Sequence, residues 1–321
     1  MFKVIMAPTE GSDNERAAIS VAVKLAQRFH ADLRLVRVAA APLVIETIGQ
    51  TPLMINGQTM LDERLARLHK LEALGTECRA LGEIRVMTAL EDGPVAPTLS
   101  EYAGKFKVDL IVMSSHSRGG VKRIALGSAT DYLIRHTNIP VLVVRPSASF
   151  ISATPEQTFS RIVAPLDGSA LAEEILPEVA ALAARLKSTV SLLQVLTPAT
   201  YSQKEIMQPG LPWWDTDIAV ADAYLAGAAR YLTEQGLTVS KDVILSDDVA
   251  TAILDFSTRT RADIIALATS GSGGMSRFVF GTVADEVTRK STSSLLVFHP
   301  KHHGPTANAD ERSRTDYLSG V

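Results

Sequence analysis

The sequence predicts an α/β chain of two tandem doubly wound domains, each a five-stranded parallel sheet covered by helices. Three observations predict it. Ile5-Met6-Ala7-Pro8-Thr9-Glu10-Gly11-Ser12 returns as Ile162-Val163-Ala164-Pro165-Leu166-Asp167-Gly168-Ser169. Asp109-Leu110-Ile111-Val112-Met113, a small-residue loop and Gly127-Ser128 return as Asp263-Ile264-Ile265-Ala266-Leu267, a similar loop and Gly281-Thr282. The period, about 155 residues, is the length of a domain and far exceeds a solenoid repeat. Within each copy, short apolar runs alternate with helical periodicity, which implies right-handed crossovers and a parallel sheet buried on both faces.

In the first copy Val4–Ala7 reads as a strand. Ala17, Ala18, Val21, Ala22, Leu25 and Phe29 mark an amphipathic helix. Leu33–Val38 is the second strand, Leu61–Ala80 a charged helix with spaced leucines, and Ile84–Ala89 the third strand. Val95–Lys105 is a short helix, Val108–Met113 a strand apolar enough for burial on both faces, Ser128–His136 a helix, and Pro140–Arg145 the last strand. The second copy places strands near Arg161–Ala164, Thr189–Leu196, Val239–Leu245, Ile264–Ala268 and Ser294–Phe298. Pro177 is expected to kink the first helix of that copy. The domains are expected at 1–146 and 160–300, with a linker at 147–159 and a disordered polar tail at 301–321. Residues 39–59 and 197–215 read as long apolar connections, suited either to lids and partner surfaces or to packing over a sheet edge.

The chain has 321 residues, 46% of them hydrophobic, enough to bury two ordinary cores. A net charge of −3 argues against a nucleic-acid footprint or a surface for acidic membranes. The single cysteine, Cys78, excludes an intramolecular disulfide and a multi-thiolate zinc site, and fits a reducing cytoplasm. Cys78 is expected to be inert. No long apolar signal core precedes the first strand, and no run is long and apolar enough to span a membrane, so a cytoplasmic location is expected.

In doubly wound sheets, ligands sit beyond the carboxyl ends of the strands, where strand order reverses. Strands one and four would flank that point and bring Pro8–Ser12 beside the loop Ser114–Ser128, and Pro165–Ser169 beside Ala268–Thr282. Small residues there let the backbone approach an anion. Successive N–H groups form a nest for it, and the following helix aims its free N–H groups at the same place. Ser128 or Thr282 could donate one more bond. Ser128-x-x-Asp131, Thr282-x-x-Asp285 and Ser12-x-x-Glu15 also read as capping boxes, which need no ligand.

These motifs resemble the universal stress protein family in a tandem two-domain form, over nearly all of residues 2–300. The resemblance implies a Rossmann-like fold of the adenine nucleotide alpha hydrolase-like kind. It also implies ATP binding, with or without Mg²⁺, where Asp-Gly-Ser after strand one is joined by Gly-x2-Gly-x9-Gly-[Ser/Thr]. The first copy keeps His116, Arg118, Gly127 and Ser128, but has Glu10 for the aspartate and Ser114 and Ser117 for the first two glycines. The second keeps Asp167, Gly271, Gly281 and Thr282, with Ala268 and Ser270 as departures. A serine forced to positive φ costs about 1 kcal/mol and crowds a phosphate, which favours the second copy. By resemblance, Pro165, Leu166, Asp167 and Val195 line the adenosine end there, and Ala268, Gly271, Gly281, Thr282 and Val283 the phosphates. The matching first-copy set is Pro8, Thr9, Glu10, Val38, Ser114, Ser117, Gly127, Ser128 and Ala129, with His116 and Arg118 as further contacts.

Other chemistry is poorly supported. No P-loop occurs, and no Gly-x-Gly-x-x-Gly follows the first strand. His116 between two serines lacks a third group for nucleophilic catalysis. His299, His302 and His303 read as a solvated tail rather than a metal site. Two function classes remain: a regulatory stress-response protein that binds an adenine nucleotide with little or no hydrolysis, and a nucleotide-free dimerising scaffold for protein partners. The last strands, Val141–Val144 and Leu295–Phe298, would be bare apolar edges if the strand order is 3-2-1-4-5. They are expected to pair within the chain as a pseudo-dimer, a further homodimer being an additional association.

Overall fold

The computed structural model describes residues 2–12, 15–39, 57–115, 126–145, 159–197, 213–269 and 281–299. The first half runs β1 (Val4–Pro8), α1 (Arg16–Phe29), β2 (Asp32–Ala39), α2 (Gly57–Ala80), β3 (Val86–Asp92), α3 (Val95–Lys105), β4 (Leu110–Ser114), α4 (Ser128–His136) and β5 (Val141–Val144). The second runs β6 (Arg161–Pro165), α5 (Ala170–Glu173), α6 (Leu176–Leu186), β7 (Thr189–Leu196), α7 (Trp213–Thr233), β8 (Val239–Leu245), α8 (Val249–Arg259), β9 (Ile264–Ala268), α9 (Thr282–Lys290) and β10 (Ser294–Phe298). The expected linker lies outside the described residues except for Phe159, which is fully buried. The expected tail also lies outside them, as does most of both long connections. Trp213 and Trp214, expected in the second connection, open α7 instead.

The strand order is β3-β2-β1-β4-β5-β10-β9-β6-β7-β8, all one ten-stranded sheet. Each half is parallel in the order 3-2-1-4-5, one of the arrangements open to alternating strand–helix units. The seam is antiparallel: Leu295 faces Val143, Leu296 faces Leu142 and Val297 faces Val141. The two apolar last strands thus cover one another, and β4, β5, β9 and β10 become the buried centre of the sheet. Each aliphatic side chain fully buried there contributes about 1.5–3 kcal/mol. One core layer lies under α1, α2, α6 and α7 and runs unbroken across both halves. The other lies under α3, α4, α8 and α9.

The repeat extends to backbone detail. Left-handed residues end α1 at His30 and α6 at Lys187, and precede β4 at Lys107 and β9 at Arg261. Pro177 is the exception to symmetry, and in place of the expected kink it marks the start of a new helix. Where α1 is continuous, the second half breaks at Glu174 and Ile175, and Pro177 falls in the first turn of α6. A missing N–H is harmless in a first turn, so the chain restarts the helix rather than bending it.

Candidate functional site

At the end of β1 the chain turns through Thr9, Glu10 and Gly11, the last at φ +84°. Thr9 N–H donates to Val36 O at 2.9 Å, which continues the β1–β2 ladder one residue further. The turn is held by a residue the sequence reading placed elsewhere. The Glu15 carboxylate, 3% exposed, accepts Thr9 Oγ1 at 2.7 Å, Glu10 N–H at 2.8 Å and Gly11 N–H at 3.1 Å. Glu15 was expected to complete a capping box with Ser12. Its side chain instead reaches back past Ser12, because three donors of the tight turn converge on it. The signal was present only as an acidic residue four positions beyond the repeated glycine.

Helix α4 begins beside this turn. Gly127, at φ −66° and ψ 148°, holds the cap position, and no side chain caps the helix. Asp131 N–H makes the first helical bond, to Gly127 O. The Ser128, Ala129 and Thr130 N–H groups precede it at the positive end of the helix. The capping-box reading of Ser128 and Thr282 is therefore corrected. Each is the first helical residue, one place too late to cap, and Gly281 caps α9 in the same way. The two aspartates serve ion pairs instead: Arg135 bridges Asp131 and Asp285, and Arg289 joins Asp285.

Between these two corners lies a cavity of about 310 Å³. Pro8, Thr9, Glu10, Val38, Ser114, Gly127, Ser128 and Ala129, all named from the sequence, line it. Val36, Val95, Leu99 and Met113 add an apolar wall, and Glu15 and Thr130 complete the polar side. Among the described residues, Thr130 Oγ1 is buried without a hydrogen-bond partner. An apolar wall facing free N–H groups and hydroxyls fits a flat, ring-bearing anion. His116, Ser117 and Arg118 lie outside the described residues.

The second half repeats the frame with a different lock. Leu166 N–H donates to Leu193 O at 2.8 Å, as Thr9 does to Val36. Gly168 sits at φ +85°. Asp167 Oδ1 accepts Ser169 N–H at 2.9 Å and its hydroxyl at 2.6 Å, while Ser169 Oγ accepts Ala172 N–H at 3.1 Å to cap α5. The loop is thus tied by its own aspartate where the first half uses Glu15. Pro165 and Ala268 end neighbouring strands, Val195 lies near the end of β7, and Gly281, Thr282 and Val283 start α9. Gly271 lies outside the described residues. Among those described, no group of three or more His, Cys, Asp or Glu side chains could hold a metal, and no helix is long and apolar enough to cross a membrane.

Comparison with known proteins gives a consistent result. The sequence profile described as the Universal stress protein family matches residues 1–145 and again 158–299. A universal stress protein of Methanocaldococcus jannaschii is 28% identical over 145 residues, covering 45% of this chain and 83% of the relative. One of Thermus aquaticus is 33% identical over 147 residues, covering 45% of this chain and all of the relative. The crystal structure of a universal stress protein from Archaeoglobus fulgidus superposes with a TM-score of 0.64 at 15% identity, over 94% of this chain and 97% of the other.

Proposed function

The chain belongs to the universal stress protein family, and from that premise we propose that it is a regulatory protein that binds ATP or a related adenine nucleotide with little or no hydrolysis. One observation carries the reading. In the first half, eight of the residues expected to meet a nucleotide line one cavity, with an apolar wall on one side and a helix N-terminus on the other. The base would lie against Val36, Val38 and Leu99, and the phosphates would face Gly127, Ser128 and Ala129. The second half, whose loop keeps more glycines, offers an equivalent frame at Asp167, Gly281 and Thr282 and belongs to the same proposal. Little hydrolysis is part of this reading: Glu15, one of two carboxylates on the first cavity, is already bound by three donors of the β1 turn.

Protein purified without added nucleotide, then boiled, should release adenine nucleotide detectable by mass spectrometry. Millimolar ATP with Mg²⁺ should raise the melting temperature; occupancy at a hundred times Kd corresponds to about 2.7 kcal/mol. Gly127→Asp should abolish binding in the first half and Gly281→Asp in the second, by placing a carboxylate where phosphate would sit. A clean blank with no thermal shift would favour the nucleotide-free scaffold. Undiminished stoichiometry in the double variant would place the nucleotide elsewhere.

A further inference from the structure

On the opposite face of the sheet from the proposed nucleotide cavity, a second cavity of about 490 Å³ lies between α1 and α2. Its walls are of two kinds. Ile19, Leu71 and Leu74 make an apolar floor, and Arg16, Arg37 and Lys70 bring three cations to it. Arg16 is 3.7 Å from Glu77, the one acidic side chain on the lining. Arg37 and Lys70 have no hydrogen-bond or ion-pair partner among the described residues. Arg37 packs its guanidinium over Gly11, where an added Cβ would meet Nη1 at 3.0 Å.

The internal repeat supplies a control. Strand register equates Arg37 with Gln194, since each follows the residue opposite the last proline of the neighbouring strand. Gly168 likewise faces Gln194, with Nε2 3.5 Å from an added Cβ. Five residues beyond the repeated glycine, Arg16 becomes Glu173. On the outer helix, the buried pair Leu71 and Cys78 becomes Leu225 and Leu232, so Lys70 becomes Tyr224. Tyr224 is half-buried, and burial together with the Glu173 carboxylate pushes its hydroxyl pKa up. All three cations are therefore replaced, at matched positions, by an acid, an amide and a phenol. A shared structural need for positive charge would have kept them in both halves.

We propose that the α1–α2 cavity of the first half binds an amphiphilic anion, a carboxylate or phosphate head on an aliphatic tail, and that the second half does not. The head meets Arg37 and Lys70, and the tail lies on Ile19, Leu71 and Leu74. Two unpaired cations gain charge-assisted bonds from such a head, and the apolar floor removes the tail from water.

Calorimetric titration of the full chain with decanoate and with decyl phosphate, each below its micelle concentration, tests this. One saturable site per chain is expected for at least one of the two, and the pair identifies the preferred head. 1-Decanol, without charge, and acetate, without a tail, should each bind at least about tenfold more weakly. Arg37→Gln with Lys70→Gln should weaken binding by a similar factor, while Arg37→Lys with Lys70→Arg should retain it. The glutamine variant should keep its circular dichroism and its thermal response to ATP, so this proposal and the nucleotide reading fail separately. Absence of a saturable site for both anions, equal binding of decanol or acetate, or unchanged affinity in the glutamine variant would each overturn it.

Discussion

Glu15 and Cys78 show how far a single side chain can be read. Glu15 sits on a sequence pattern that names a helix cap, yet three donors from the β1 turn claim its carboxylate. Replacing it with alanine leaves those donors facing a buried space. We expect Glu15→Ala to cost about 2 kcal/mol in chemical denaturation, with Ser12→Ala, at the expected cap, costing under about 0.5 kcal/mol. Equal effects would restore the capping box. Cys78 is simpler: burial holds its thiol up at about 11, so it is protonated at neutral pH, as an inert core residue should be. The pocket residues were legible because the repeat marks the strand ends and helix starts and the family resemblance names the positions there that line the pocket. Glu15 was not, because its role depends on where its carboxylate turns, and residues near in sequence offer several donors.

At the scale of elements, α4 and α9 meet across the seam through charges that the repeat supplies twice. Asp131 and Arg135 on one helix correspond to Asp285 and Arg289 on the other, and Arg135 crosses to Asp285 at 3.0 Å. The Arg289 hydrogen bond, helped by Arg135, holds the Asp285 carboxyl below its usual range. Its stabilising contribution is therefore complete above the unfolded-state pKa and is lost as pH falls through the lower folded value. Asp285→Asn should cost about 1 kcal/mol at neutral pH and little once the wild-type carboxyl is protonated. Denaturation midpoints of the two proteins should thus converge on acidification, and a constant gap would show that the pair carries no linkage. Nearby, Arg145 is buried at the end of β5 and donates through Nη2 to Thr288 O at 2.6 Å, near the negative end of α9. Periodicity located α4 and the strands, and in the second half it gave the helices only as lying between strands. It could not locate the restart at Pro177, because the same proline suits a kink or a first turn.

The whole molecule is organised by the β5–β10 ladder, which turns two five-stranded sheets into one of ten strands. Val143 and Val297 are both fully buried in it. Val143→Lys with Val297→Lys would set two unpaired charges in that seam, at a cost of several kcal/mol. Small-angle scattering should then show an expanded particle, and unchanged compactness would mean that the halves are held by other contacts. With both apolar edges consumed, a second copy of the chain would have to approach another surface. Local pattern alone established the duplication, the alternation of strand and helix and the corners where small residues gather. These follow from side-chain periodicity and backbone preference, which act over a few residues. Tertiary structure decided which edges met, the order of strands within each half, that Glu15 rather than a cap closes the first turn, and that Arg16, Arg37 and Lys70 come together on one cavity between α1 and α2. Those outcomes rest on side chains far apart in sequence competing for the same neighbours, and only the folded arrangement sets the distances at which they compete.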